Sequence, residues 1–332
     1  MDPLTHAATA AVAGRAGLRK LSPLAMAAVV IAGVIPDVDL LGRLAGVRTY
    51  VLLRRGVTHS LAGALVLAVM VALALWRIGW RREPVPARLP GLLLAACLGI
   101  GIHLVLDWGD TYGERLLWPF RKTWYVGGLW PQLDPWWLAL LLVAVGIPWL
   151  LALVGEEIGA RPRRGVDWPA VFGLALIAAY AGWRASLHDR ALALLESSTF
   201  HRAVPEAVGA FPEAYSPFIW RGVAATARTF EVVTVPLGPG DTFDPDFSRT
   251  FYKPEESEPL KRARELPDVR WWLAFARFPL ATVEPIEDGT RIEFRDLRFE
   301  RSTELWGQPV LRVEFDRRLQ LRQSSWQLDG HR

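Results

Sequence analysis

Cysteine is almost missing from this sequence: Cys97 is the only one in 332 residues, so no intramolecular disulfide can form and the chain needs none. Charge is missing from four long stretches. Residues 60–76 (SLAGALVLAVMVALALW), 89–106 (LPGLLLAACLGIGIHLVL), 136–154 (WWLALLLVAVGIPWLLALV) and 168–183 (WPAVFGLALIAAYAGW) contain no Lys, Arg, Asp or Glu. Each is close to the roughly 17 to 25 residues that a helix needs to cross a bilayer core, which predicts four membrane helices. Internal repeats and low-complexity linkers are absent as well. A secretory signal is not expected, because Arg15, Arg19 and Lys20 fall between two apolar stretches, 4–17 and 23–35, rather than ahead of an apolar core. Those two stretches are too short to span comfortably, and a tight helical hairpin that dips into the membrane and returns fits both. It would place His6 and Asp37 at the same end.

The chain is 52% apolar with a small net positive charge, and that charge is unevenly divided. Residues 184–332 hold 21 Lys plus Arg against 23 Asp plus Glu, whereas residues 1–183 hold 17 against 11. A nucleic-acid partner would call for a basic patch on the soluble part, so nucleic acid is not an expected partner. Within the apolar half, the segments 15–20, 77–88 and 155–167 carry ten basic residues and the opposite segments 37–59 and 107–135 carry seven. The positive-inside rule then puts the first set in the cytoplasm and the C-terminal half outside it, at a cell inner membrane. In that half, residues 187–208 read as one or two short amphipathic helices. Alternating runs follow, "FEVVTVPL", "TRIEFRDLRFE" and "PVLRVEFDRRLQL", and "EDG" between "LATVEPI" and "TRIEFRDL" signals a hairpin. The expected fold is an α-helical membrane protein, a short N-terminal hairpin plus about four transmembrane helices over residues 1–183. A small C-terminal α+β domain with an antiparallel sheet follows over 184–332.

Polar residues gather at the ends of the apolar runs: His6 in "PLTHAA", Asp37 and Asp39 in "IPDVDLLG", His59 in "GVTHSL", His103 and Asp107 in "GIHLVLDWGD". In the expected topology all six lie at one membrane face. His103 and Asp107 are four apart, so a helix projects them from one side about a turn apart. Asp37 and Asp39 flank Val38 at a helix end, where both carboxylates can turn toward one centre. Imidazole with carboxylate suits Zn, Mn or Fe better than Ca or Mg. Two such ions could activate water against an ester or phosphoester. Carboxylates at membrane depth are expensive unless paired or ligated. Each residue also has a plainer reading: His103 bonded within the bundle, Asp37 as a helix cap, Asp39 solvated in a loop, Thr58 and Ser60 as ordinary helix N-terminal residues.

The segments "MDPLTHAATA", "AGVIPDVDLL", "RRGVTHSLAG" and "HLVLDWGDTYGERLLWPF" resemble, in order and spacing, the signature of the YdjM family, membrane-bound metal-dependent hydrolases. The resemblance covers about residues 1–125. It implies functional roles for Thr5 and His6, Asp37 and Asp39, Thr58, His59 and Ser60, His103 and Asp107, and Thr111 and Gly113. The C-terminal part looks similar to the soluble extension of the family's long form, through "WWLAFARFPLATVE" and "EFRDLRF". A more distant similarity to the zinc-dependent phospholipase C and P1 nuclease group would favour a phosphoester substrate.

The metal ligands expected on these grounds are His6, Asp37, Asp39, His59, His103 and Asp107. Thr5, Thr58, Ser60 and Thr111 are expected behind them. Arg54 and Arg55 are candidates for an anionic substrate or lipid head group, or for interfacial snorkelling. Asp39, Asp110 and Glu114 are candidate catalytic groups, the last two as an additional ligand or general base, against the plainer reading of exposed carboxylates at a helix start. Six of the sixteen tryptophans fall in residues 107–137, which predicts a loop lying along the membrane surface where a lipid or lipid-linked substrate would meet it. Two function classes follow: a membrane-embedded metallohydrolase, or a non-catalytic metal-binding membrane protein with a sensing, transport or partner-binding role.

Overall fold

The computed structural model describes residues 1–81, 84–157, 167–300 and 307–329. Helices fill the first half: α1 (Pro3–Ala16), α2 (Ala25–Ala32), α3 (Val47–Leu53), α4 (Leu61–Gly79), α5 (Leu89–Trp108), α6 (Pro135–Glu157) and α7 (Trp168–Glu196). Their starts follow local chemistry. Asp2 accepts from the backbone N–H of Leu4 and Thr5 ahead of Pro3, and Ser60 accepts from Gly63 at the head of α4. α4, α5 and α7 are long and apolar enough to cross a membrane, and α6 is apolar over Pro135–Ile147. α2 and the 3-10 stretch Ile35–Ala45 together make a further candidate, bent by 42°. α2 lies tightly on α5, because a Cβ at Gly99 would stand 2.4 Å from the carbonyl oxygen of Val29. The basic residues Arg161, Arg163 and Arg164, and Arg82, on which the orientation expectation partly rests, lie outside the described residues.

α7 does not stop where the apolar run ends. It continues through Arg184 to Glu196, so residues 187–196 extend a long helix instead of forming a separate short one, and the expected boundary at 183 falls inside it. The reason is the satisfaction of Arg184 by distant parts of the chain: it is buried and donates to the carbonyls of Leu129 (2.9 Å) and Pro217 (2.5 Å). Beyond it, Leu187, Ala191 and Leu195 bury themselves against Trp220, Val233 and Val235.

The C-terminal part contains two antiparallel sheets where one was expected. The first holds β1 (Ala207–Pro212), β2 (Ile219–Ala225), β3 (Thr229–Pro236) and β4 (Arg249–Tyr252), in that order. The second holds β5 (Pro279–Ile286), β6 (Gly289–Asp296), β7 (Gln308–Asp316) and β8 (Leu321–Asp329), also in order. Between the sheets come α8 (Glu258–Glu265) and α9 (Pro267–Phe275). The "EDG" hairpin forms as expected, with Ile286 paired to Gly289 across Glu287 and Asp288.

This part sits on one end of the helical bundle. Tyr50 and Val51 of α3 pack with Leu260, Trp272, Phe294 and Trp326. Tyr112 and Trp124 pack with Phe275 and Phe299. The tryptophan-rich loop is thus partly covered by the C-terminal part. Trp124, Trp130 and Trp137 are buried in protein, while Trp108 and Trp136 keep 39% and 48% of their surface exposed.

Candidate metal centre

Three segments bring one cluster of four residues together. The 3-10 stretch supplies Asp37, the turn before α4 supplies His59, and the last turns of α5 supply His103 and Asp107. One ligand atom from each lies within 4.8 Å of every other. His59 Nε2 is 3.1 Å from His103 Nε2 and 3.1 Å from Asp107 Oδ2, and His103 Nε2 is 3.5 Å from that same oxygen. His59 Nε2 is 3.9 Å from Asp37 Oδ1. Donors at about 2.0 to 2.2 Å around a tetrahedral zinc would stand roughly 3.3 to 3.6 Å apart, so the spacing suits such an ion.

The hydrogen bonds behind the imidazoles fix where their lone pairs point. His103 Nδ1 lies 2.9 Å from the carbonyl oxygen of Gly33, which only accepts, so Nδ1 carries the proton and donates. His59 Nδ1 lies 3.0 Å from Thr58 Oγ1 and 3.3 Å from a carboxylate oxygen of Asp39. Its proton is likewise on Nδ1. Both Nε2 atoms are then acceptors, facing each other and the carboxylates of Asp37 and Asp107. Asp37 Oδ2 and Asp107 Oδ2 receive no hydrogen bond among the described residues. Four acceptors converging with no donor between them repel one another unless a cation joins them.

The charges around the cluster point the same way. Arg54 pairs with Asp37 (3.0 Å) and Asp39 (2.8 Å), and Arg55 pairs with Asp107 (2.9 Å) and Asp110 (2.5 Å). The Met1 amino group contacts Asp107 and Asp110. Four buried carboxylates against two guanidiniums and one ammonium leave one negative charge uncompensated. A cation held by the cluster would offset that charge.

Not every expected ligand joins the cluster. Asp39 turns away from it, accepting from the backbone N–H of Arg55 at 2.7 Å and lying beside His59 Nδ1, so it orients an imidazole instead. Its bond holds Arg55 at φ +49°, a left-handed backbone that costs a non-glycine residue about 1 kcal/mol or more. His6 stacks on His103 with ring centroids 3.9 Å apart and reaches Asp107 Oδ1 at 3.0 Å. The oxygens of Asp107 and Asp110 that face His6 are held by Arg55 and the Met1 amine, and His6 is outside the convergent group of Asp37, His59, His103 and Asp107. Thr5 bonds Asp2 at 2.5 Å and Ser60 caps α4, both roles in helix starts. Thr58 lies against His59. Thr111 is buried, its carbonyl held by Arg298. Arg54 and Arg55 are fully buried in ion pairs, which corrects the expectation of arginines snorkelling at the interface. Arg298 and the Gly33 carbonyl escaped sequence reasoning altogether, because neither stands in a polar motif near the others.

Asp110 and Glu114 are buried, not exposed at a helix start. They lie in a turn that Gly113 makes feasible, since its φ is +81° and a Cβ there would strike Val126. Burial alone would raise the pKa of Asp110, yet Arg55 and the Met1 ammonium outweigh it and bring it down to about 2. An unfolded aspartate titrates near about 3.9, so this group's stabilisation is complete above about pH 4 and is lost as pH falls toward about 2. Acid unfolding of Asp110→Asn is expected to lack that component, which an unfolding midpoint measured across this range would show. Glu114 behaves oppositely. Burial, reinforced by the charge of Asp107, pushes it well above the usual carboxylate range.

The sequence profile described as YdjM inner membrane protein matches residues 1–191. No curated protein and no solved structure matches the chain. The region from residue 192 onward lies outside the matched part. The apolar helices and the matched family together put the chain in a membrane. The match spans more than half of the sequence, and the protein belongs to the YdjM family of inner membrane proteins.

Proposed function

We propose that this protein is a membrane-bound, metal-dependent hydrolase of an ester or phosphoester, with a lipid or lipid-linked substrate. The observation that carries this reading is the surplus of unsatisfied polar groups around the cluster. His6 Nδ1, Asp37 Oδ2, Arg54 Nε and Nη2, the Tyr112 hydroxyl and both carboxyl oxygens of Glu114 are buried without a hydrogen-bond partner among the described residues. A purely structural metal site satisfies its surroundings, whereas groups kept unsatisfied suit water and the oxygens of a substrate.

Asp37, His59, His103 and Asp107 would hold the ion, and the mixed imidazole and carboxylate set favours zinc, with manganese or iron as alternatives. When bound, such an ion supplies Lewis acidity and lowers the pKa of water. The chain's own groups do the rest. Asp39 and the Gly33 carbonyl hold the two imidazoles in the ligating tautomer. Arg54 presents Nε and Nη2 to an anionic oxygen, and the Tyr112 hydroxyl donates beside it. Glu114, buried with both carboxyl oxygens unpartnered among the described residues and with its proton held more tightly than a free carboxyl's, suits an acid that protonates the leaving oxygen, where sequence suggested an additional ligand or general base. The charge bias of the loops supports an extracytoplasmic site, which a reporter fused after Arg332 tests by reading as outside or inside the cell.

A non-catalytic metal site is the second reading, favoured by the complete burial of His59, His103 and Asp107. Glu114→Gln separates the two. The variant is expected to fold and keep its metal, because the amide keeps the shape of the side chain and Glu114 is outside the ligand group, while turnover of p-nitrophenyl phosphodiesters or esters falls about 100-fold or more. Metal-loaded wild-type protein in phospholipid vesicles that hydrolyses neither those esters nor the vesicle lipids would favour the non-catalytic reading.

A further inference from the structure

Arg298 lies in the C-terminal part, outside the region matched by the family, yet it grips the turn that supports the metal cluster. Its side chain is fully buried. Nη1 donates to the carbonyl oxygens of Thr111 (3.2 Å) and Tyr112 (3.1 Å), and Nη2 donates to that of Phe275 (3.1 Å). Asp296 pairs with Nε at 2.8 Å. The guanidinium stacks over Phe275 and Phe299, 4.3 and 4.6 Å from their ring centroids. Arg221 of β2 fixes the other side by donating to the Arg298 carbonyl at 2.8 Å. Both sheets therefore meet at this one residue.

From the gripped turn, a continuous set of bonds leads to the cluster. Asp110 Oδ1 accepts from the backbone N–H of Tyr112 at 2.8 Å, and both Asp110 oxygens take the Arg55 guanidinium. Arg55 Nη2 in turn donates to Asp107 Oδ1 at 2.9 Å, leaving Oδ2 directed at His59 and His103. A shift of Thr111 and Tyr112 would be felt at Asp107 through two hydrogen-bonded carboxylates and one rigid guanidinium.

We propose that Arg298 is a positioning residue for the metal centre, through which the C-terminal domain sets the orientation of Asp107. The proposal rests on the reading of the cluster as a metal site. Its selectivity comes from geometry, because only a planar fork spans two neighbouring carbonyls and a third one across the turn.

The test compares full-length wild type with Arg298→Met, Arg298→Lys and Arg48→Met, measuring zinc affinity by chelator competition, the visible spectrum of the cobalt(II)-loaded protein, and thermal stability. Arg48 pairs with Asp268 and joins the same two parts of the molecule without touching residues 111–113, so its variant reports the effect of a weakened interface alone. Arg298→Met is expected to weaken zinc binding about 10- to 100-fold and to shift the cobalt bands. Arg298→Lys, which can reach one carbonyl, recovers part of the affinity, and it serves for the comparison if the methionine variant does not fold. Arg48→Met lowers stability slightly with affinity and spectrum unchanged. If the Arg298 variants match wild type in both affinity and spectrum, this proposal falls alone. A wild type that takes up no zinc or cobalt overturns it together with the reading of the cluster.

Discussion

Replacing Asp107 by Asn is expected to strip the metal from the protein and to destabilise it at the same time. One oxygen of this carboxylate faces His59 and His103, while the other takes Arg55, His6 and the Met1 amine. The amide keeps the shape and loses the charge, so the cluster drops from two anionic ligands to one. Arg55 keeps Asp110 but loses its second partner. Removing one member of a buried ion pair typically costs about 3 to 5 kcal/mol, because the remaining charge stays desolvated. Metal content at background and a clearly lowered unfolding temperature are expected together, with the protein still inserted in the membrane. Full metal content in the variant would remove Asp107 from the ligand set.

The second large effect is expected at Arg55, where Met would leave Asp107 and Asp110 facing each other without their shared guanidinium, with only the Met1 amino group still contacting both. Both carboxylates are fully buried, so neither can relax into water. A loss of about 3 to 5 kcal/mol follows from the same physics. Arg48 is the natural contrast. It makes two hydrogen bonds to Asp268, at 3.0 and 2.8 Å, but its side chain is 61% exposed. Its replacement is expected to cost no more than about 1 kcal/mol. Denaturation in mild detergent of the two variants side by side measures the difference, and equal losses would contradict the burial argument.

Much of the helical half was legible because its signals are local. Charge-free runs of membrane length announced α4 to α7, and the short stretches around Arg15 to Lys20 announced the α1 and α2 pair. Four of the six expected ligands converge, since His103 and Asp107 share a helix face and Pro36 places Asp37 at a sharp chain turn. Asp39 misled because alternate residues of a 3-10 stretch point about 120° apart per step, sending Asp37 to the cluster and Asp39 behind His59. Arg54 and Arg55 read as surface residues since their acidic partners lie 15 to 55 positions away. The run through Arg184, His188 and Asp189 looked like the end of a membrane helix, and only the distant carbonyls that satisfy Arg184 explain why α7 continues. Arg298 was beyond reach for the same reason. Its partners in the turn beside the cluster are backbone oxygens more than 180 positions away, and backbone acceptors leave no trace in composition or spacing.

The most direct measurement of the cluster as a metal site is elemental analysis of detergent-purified protein, wild type beside His59→Ala. The expected result is about one divalent ion per chain in the wild type, zinc foremost, and none above background in the variant. No bound metal in the wild type, even after reconstitution with zinc and manganese, would contradict it.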